Sequence, residues 1–103
     1  MEHADALVKA AQYAEQVKHR FRPNAIVLFG SHANGDYTAD SDIDVAVVFQ
    51  GFQGDYLHTA AELWEMRRGI SCDIEPHLLD SAEDQSGFAR YIMNTGRVLY
   101  KAA

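Results

Sequence analysis

One cysteine, two prolines and no long apolar run set the first limits on this chain of 103 residues. The single thiol, Cys72, excludes an internal disulfide and a cysteine-based metal site, and beside Asp73 it reads as a small hydrophobe. No stretch approaches the ~20 apolar residues that a membrane span needs. The opening MEHADALVKAA lacks the pattern of a signal peptide, so the expected location is the cytoplasm. Positive charge is scarce as well, with 15 acidic against 9 basic residues and a net charge of −6. That balance leaves no electrostatic footprint for a polyanionic backbone and argues against long nucleic acid as a partner. A nucleotide remains admissible, because a bound divalent cation inverts the local charge at carboxylates. The five histidines, His3, His19, His32, His58 and His77, form no pair at helical spacing and no cluster with cysteine, which argues against zinc. At 48% hydrophobic and 23% charged, the composition fits one soluble domain over residues 1–103, with a single core.

What is present is concentrated in FGSHANGDYTADSDIDVAVVF, residues 29–49. The run NAIVLF before it (residues 24–29) reads as a buried strand that stops at Gly30-Ser31. Gly30 has no Cβ, so backbone there can come close to a ligand. If Ser31 starts a short helix, its free amides suit an anion such as phosphate. Ten residues after Ser31 comes Asp42-Ile43-Asp44, opening a second strand, DIDVAVVF, over residues 42–49. Side chains two apart on a strand share a face about 6.6–7 Å apart, so Asp42 and Asp44 point together while Ile43 and Val45 turn to the core. Two such carboxylates resist joint ionisation unless a cation lies between them, and oxygen ligands suit Mg²⁺ or Mn²⁺. Alone, a Gly-Ser is a turn and an Asp-x-Asp a solvated pair; at this spacing, on two strand ends, they point to a nucleotide and metal site. His32, directly after Gly-Ser, and Ser41, directly before the acids, join Gly30 and Ser31 as nucleotide-binding candidates.

Around this stretch the chain alternates helices and strands. Leu7, Ala11, Ala14, Val17 and Phe21 fall at helical spacing over residues 2–21, and Pro23 closes that helix. The basic cluster Lys18-His19-Arg20-Arg22 suits a helix end. QGFQG, residues 50–54, is a turn, and Leu57, Ala60, Ala61 and Trp64 supply one apolar stripe, with Trp64 in the core. ISCDIEPHLL, residues 70–79, is a third strand, ended or held at an edge by Pro76. Asp73 and Glu75 share one of its faces, and an acid in an apolar strand is costly without a partner. Ser81 with Asp84 looks like a helix start, with Phe88, Ala89, Ile92 and Met93 as the apolar face, and RVLY (97–100) adds a short edge strand. The fold class expected is α+β, a small mixed sheet with helices packed on it in two layers.

Gly-Ser, ten residues and Asp-x-Asp resemble the signature of the polymerase beta-like nucleotidyltransferase superfamily. The form GSHANGDYTADSDIDVAVVF is similar to its minimal members, the MNT proteins, over about residue 17 to the end. The resemblance implies the nucleotidyltransferase fold and three acids that hold two divalent cations, Mg²⁺ or Mn²⁺. Those ions lie about 3.5–4 Å apart while a hydroxyl attacks the α-phosphorus of a nucleoside triphosphate. It places the third acid in a pattern like Val-Asp-Leu-Val, which selects Asp73 in Cys72-Asp73-Ile74-Glu75, with Glu75 in reserve. Asp42, Asp44 and Asp73 are then the catalytic and metal-binding residues. Gly30 and Ser31 hold the β- and γ-phosphates of ATP. The family commonly carries arginine after Gly-Ser, where this chain has His32 and Asn34. Minimal members are commonly encoded beside a helical HEPN protein, which implies an antitoxin that adds AMP to a tyrosine of that partner. With no acceptor domain in 103 residues, the acceptor surface comes from outside, in a homo- or hetero-oligomer. The alternative is a binding module of the same fold that neutralises its partner by contact alone.

Overall fold

The computed structural model describes residues 2–103. The first helix, α1 (His3–Phe21), ends at Arg22, whose left-handed φ of 52° follows from the next residue, Pro23, which bars the helical region. Then come β1 (Ala25–Phe29), α2 (Ser31–Asn34), β2 (Ile43–Phe49), α3 (Tyr56–Met66), β3 (Ile74–Asp80), α4 (Phe88–Thr95) and β4 (Arg97–Lys101). Single 3-10 turns follow α3 and β3 at Arg67–Gly69 and Ser81–Glu83.

The four strands form one mixed sheet in the order β3-β2-β1-β4. β1 lies antiparallel to β2 and to β4, while β2 and β3 run parallel, with α3 in the crossover between them. Pro76 does not end β3; the strand runs on to Asp80 as a sheet edge, where a missing N–H is tolerated.

Alternation along the strands divides the core in two. Ile26, Leu28, Ile43, Val45, Val47, Ile74 and Leu78 face α1 and α3, whereas Ala25, Val27, Ala46 and Val48 face Ile92 of α4. Burying Ile92 contributes about 1.5–3 kcal/mol to holding α4 in place. The short connection from α4 to β4 needs Gly96, since a Cβ there would stand 2.8 Å from the carbonyl oxygens of both Ile92 and Leu28. The α+β architecture expected from the sequence, a small mixed sheet with helices packed on it, is the one observed, with α1 and α3 on one face and α4 on the other.

Three local expectations are corrected. In α1 the buried side is Ala6, Ala10, Tyr13, Ala14 and Val17, and Ala11 is exposed. Small residues at 6, 10 and 14 let the helix approach closely while Tyr13 donates from its hydroxyl to the Leu63 carbonyl at 2.7 Å. That bond lies on the α3 face carrying Leu63, packed with Ala60 and Met66, so Leu57 and Trp64 turn outward at 78% and 42% exposure. Trp64 is not core; the Arg67 guanidinium stacks on it at 4.4 Å. Ser81 does not cap α4. The Asp84 carboxylate does, accepting from the Ala89 and Arg90 amides at 2.9 and 3.0 Å.

Candidate active site

β2 begins at Ile43, so Asp42 is the exposed residue before the strand and Asp44 its first inward step on the face shared with α4. The Ile43 amide donates to the Asp73 carbonyl at 2.8 Å, locking the start of β3 beside the start of β2. The parallel register then sets Asp44 opposite Glu75 and Ala46 opposite His77. Strand parity sends Glu75 and His77 to the same side as Asp44. One ligand atom from each of Asp44, Glu75 and His77 lies within 4.8 Å of the other two. His77 Nε2 is 3.3 Å from Asp44 Oδ1.

This crowding marks Glu75. A hydrogen bond to Asp42 is the largest cause raising its carboxyl above the ordinary glutamate range. Desolvation and the charges of Asp42 and Asp44 add to it, and His77 pulls the other way. Three carboxyl groups therefore meet here, from the strand start of β2 and from β3, and Glu75 holds its proton more tightly than a free glutamate would.

The acid that completes the group is Glu75. Asp73 sits exposed in the turn before β3, its amide bonded to Ser71 Oγ at 3.1 Å and its carbonyl used by Ile43. Among the described residues neither Asp73 nor Asp42 belongs to the group that could hold a metal, but Asp42 reaches it through its hydrogen bond with Glu75. β3 starts at Ile74, four residues later than the expected strand, which leaves Asp73 in the preceding turn and sets Glu75 directly opposite Asp44. His77 was overlooked. Its signal was the spacing Glu75-x-His77, which repeats the parity of Asp42-x-Asp44 on the neighbouring strand. Its ring is held edge-on by Phe29 at a centroid distance of 4.9 Å, and Phe29 in turn meets Phe88 of α4 at 5.9 Å.

Gly30 forms the opposite wall. Its φ of 76° and ψ of −153° belong to a region open essentially only to glycine. A Cβ there would overlap Asp44 Oδ2 and stand 3.3 Å from Asp44 Cγ. The Gly30-Ser31 corner therefore touches the acid group directly. Ser31 opens α2, whose Ala33 and Asn34 amides donate to the Gly30 carbonyl at 3.1 and 3.0 Å.

The two remaining nucleotide-binding candidates have partners of their own. His32 is buried at 3% exposure, with Nδ1 3.1 Å from Nδ1 of His3, and its ring and that of His3 lie parallel to Tyr37. Its Nε2 is buried with no hydrogen-bond partner among the described residues. Ser41 Oγ accepts from the Thr38 amide at 2.7 Å, closing the loop that delivers Asp42. A cavity of 520 Å³ between Phe52, Tyr56, Asp80 and Phe88 and one of 790 Å³ beside His3 and Tyr37 contain none of the site's acids. The acids stand on an open face, with Asp44 25% and His77 36% exposed. No described helix is long and apolar enough to cross a membrane.

Comparison with known proteins gives the family and the fold. Residues 11–103 match the family described as "Polymerase beta, Nucleotidyltransferase". A Methanocaldococcus jannaschii protein named "Putative protein adenylyltransferase" is 35% identical over 95 residues, covering 90% of this chain and 94% of the relative. The crystal structure of a "putative nucleotidyltransferase" from Sulfolobus solfataricus superposes with a TM-score of 0.69 at 25% identity, over 96% of this chain and 83% of that one.

Proposed function

The chain belongs to the polymerase beta nucleotidyltransferase family, and from that premise we propose that it is a metal-dependent adenylyltransferase. In this reading it moves AMP from ATP to a tyrosine hydroxyl of a helical HEPN partner and so acts as that partner's antitoxin. The observation that carries the reading is the meeting of Asp42, Asp44 and Glu75 against the Gly30 corner. ATP as donor is supported by the name of the Methanocaldococcus relative. The HEPN partner follows from the pairing common among minimal members of the family.

The residues fit a divalent cation. Asp44 and Glu75 offer oxygens within 4.8 Å of each other, and Glu75 is also hydrogen-bonded to Asp42. Asp42, Asp44 and Glu75 would hold the ion or ions. A bound cation there supplies charge neutralisation on the triphosphate and lowers the proton affinity of the attacking hydroxyl.

The protein's own part is positioning. Gly30, with no side chain, lets the triphosphate approach Asp44, and Ser31 offers its amide and hydroxyl to the β- and γ-phosphates. The acceptor oxygen bonds to the α-phosphorus as the bond to the β-bridging oxygen breaks, and pyrophosphate leaves. Glu75, as one of the residues that would hold the ion, is placed to take the hydroxyl proton. The role expected of Asp73 thus passes to Glu75. The open face around the acids suits an acceptor brought by another protein, with no need for a substrate pocket of its own.

The test is intact mass spectrometry of the co-expressed partner after incubation with ATP and Mg²⁺ or Mn²⁺. A gain of one AMP on a partner tyrosine, lost with Glu75→Gln, is expected. A partner that is bound and neutralised at unchanged mass would favour inhibition by contact and contradict transfer.

A further inference from the structure

We infer that His77 is itself a metal ligand, so that the site takes a first-row transition ion such as Mn²⁺ in preference to Mg²⁺. The inference rests on the metal-dependent reading above and concerns which ion is held and by which atoms.

The three acids alone would make an all-oxygen site suited to Mg²⁺. His77 changes the donor set. Its Nε2 stands 3.3 Å from Asp44 Oδ1, and the ligand atoms of Asp44, Glu75 and His77 lie within 4.8 Å of one another. Neighbouring ligands about an ion at 2.0–2.2 Å are separated by about 3 Å, so a small adjustment brings all three onto one ion.

Two features distinguish this from an ordinary ion pair. The imidazole is fixed by the edge contact with Phe29, which Phe88 backs from α4. The ring is thus oriented by packing as well as by its attraction to Asp44. His77 also shares the strand and face of Glu75, two residues on, so the backbone itself spaces the pair. In the metal-free chain Nε2 lies 3.3 Å from Asp44 Oδ1. With an ion bound, the neutral imidazole presents its lone pair at the same place. Imidazole nitrogen binds first-row transition ions better than it binds Mg²⁺, which holds its waters and prefers oxygen. Mn²⁺ accepts both the imidazole and the carboxylates.

Pulsed electron paramagnetic resonance of Mn²⁺ on the EDTA-stripped protein, without nucleotide, tests this directly. The wild type is expected to show ¹⁴N modulation from a coordinated imidazole, replaced by ¹⁵N coupling when histidine is ¹⁵N-labelled. His77→Gln is expected to abolish it. The same variant should weaken Mn²⁺ binding at least roughly tenfold, the lower bound seen when only an outer-shell partner is lost. Mg²⁺ affinity, read by competition, should move much less. Bound Mn²⁺ without nitrogen coupling, coupling that survives His77→Gln, or no Mn²⁺ binding at all would overturn the inference. The labelled wild-type spectrum decides the matter should His77→Gln fail to fold. Transfer assayed separately in saturating Mg²⁺ keeps the two proposals apart. Transfer without nitrogen coupling removes only this inference, and coupling without transfer removes only the adenylyltransferase reading.

Discussion

Gly30→Ala separates the structural from the catalytic demands on the corner that faces the acids. Two costs add. The backbone at φ 76° and ψ −153° must be held by a residue with a Cβ, at about 1–3 kcal/mol. The new methyl also overlaps Asp44 Oδ2 and stands 3.3 Å from Asp44 Cγ, so Asp44 must rotate away. Rotation abandons the 3.3 Å contact with His77 and the common site with Glu75. For a domain of this size each kcal/mol lowers Tm by roughly 4–8 °C, which differential scanning calorimetry resolves. Transfer, measured well below that Tm, should fall by about a hundredfold or more, since a displacement of about 1 Å at reacting groups costs that much. The cause is isolated by repeating Gly30→Ala in an Asp44→Ala background, where no carboxylate is left to meet the methyl. There the stability cost should shrink to the backbone part alone, giving a coupling of about 0.5–3 kcal/mol. Equal costs in both backgrounds, or near-wild-type transfer by Gly30→Ala, would refute the claim that Gly30 exists to admit Asp44.

Further outcomes follow from the same geometry. Glu75→Gln should abolish transfer and Asp73→Asn leave it near wild type; the reverse result would return the third acid to the turn. In metal-free protein the folded state holds the Glu75 proton to higher pH than the unfolded chain does. Stability should therefore fall as pH rises from the ordinary glutamate range through the raised Glu75 value, and Asp42→Asn, which removes the largest cause, should flatten that slope in urea titrations. Asp80 has the opposite sign. Its carboxylate accepts from the Gly51, Phe52 and Ala82 amides and is held below the usual range. Asp80→Asn should destabilise at neutral pH, with the difference from wild type closing as pH falls through the lowered Asp80 value; a pH-independent difference would contradict the charge-based account. Leu63→Ala should cost about 2–5 kcal/mol, while Leu57→Ala stays within about 0.5 kcal/mol, and similar costs would contradict the observed rotation of α3.

Much of the fold was legible because strands and glycines carry strong local signals. The runs at 24–29 and 42–49 became β1 and β2 within a residue, Pro23 closed α1, and Gly35 ended α2. Helix faces were less legible. Two apolar stripes compete on α3, and packing in the core, with the Tyr13 hydroxyl bonded to the Leu63 carbonyl from 50 residues away, goes with Leu63 and not Trp64 facing inward. The site divided along the same line. Asp42 and Asp44 announce themselves by spacing within one strand, whereas the third acid depends on the register between β2 and β3. The Ile43 amide sets that register by bonding to Asp73's carbonyl, which occupies the backbone of Asp73 and delivers the side chain of Glu75. For His77 the Glu75-x-His77 spacing was the signal within the strand, and pairing across strands brings it to Asp44.

The most direct measurement uses ATP labelled at the α-phosphate, incubated with a divalent cation, this protein and its co-expressed partner. Covalent label on the partner, matched mole for mole by released pyrophosphate and absent with Glu75→Gln, is the result the account predicts. Label that never becomes covalent, or that transfers equally well without Glu75, would contradict it.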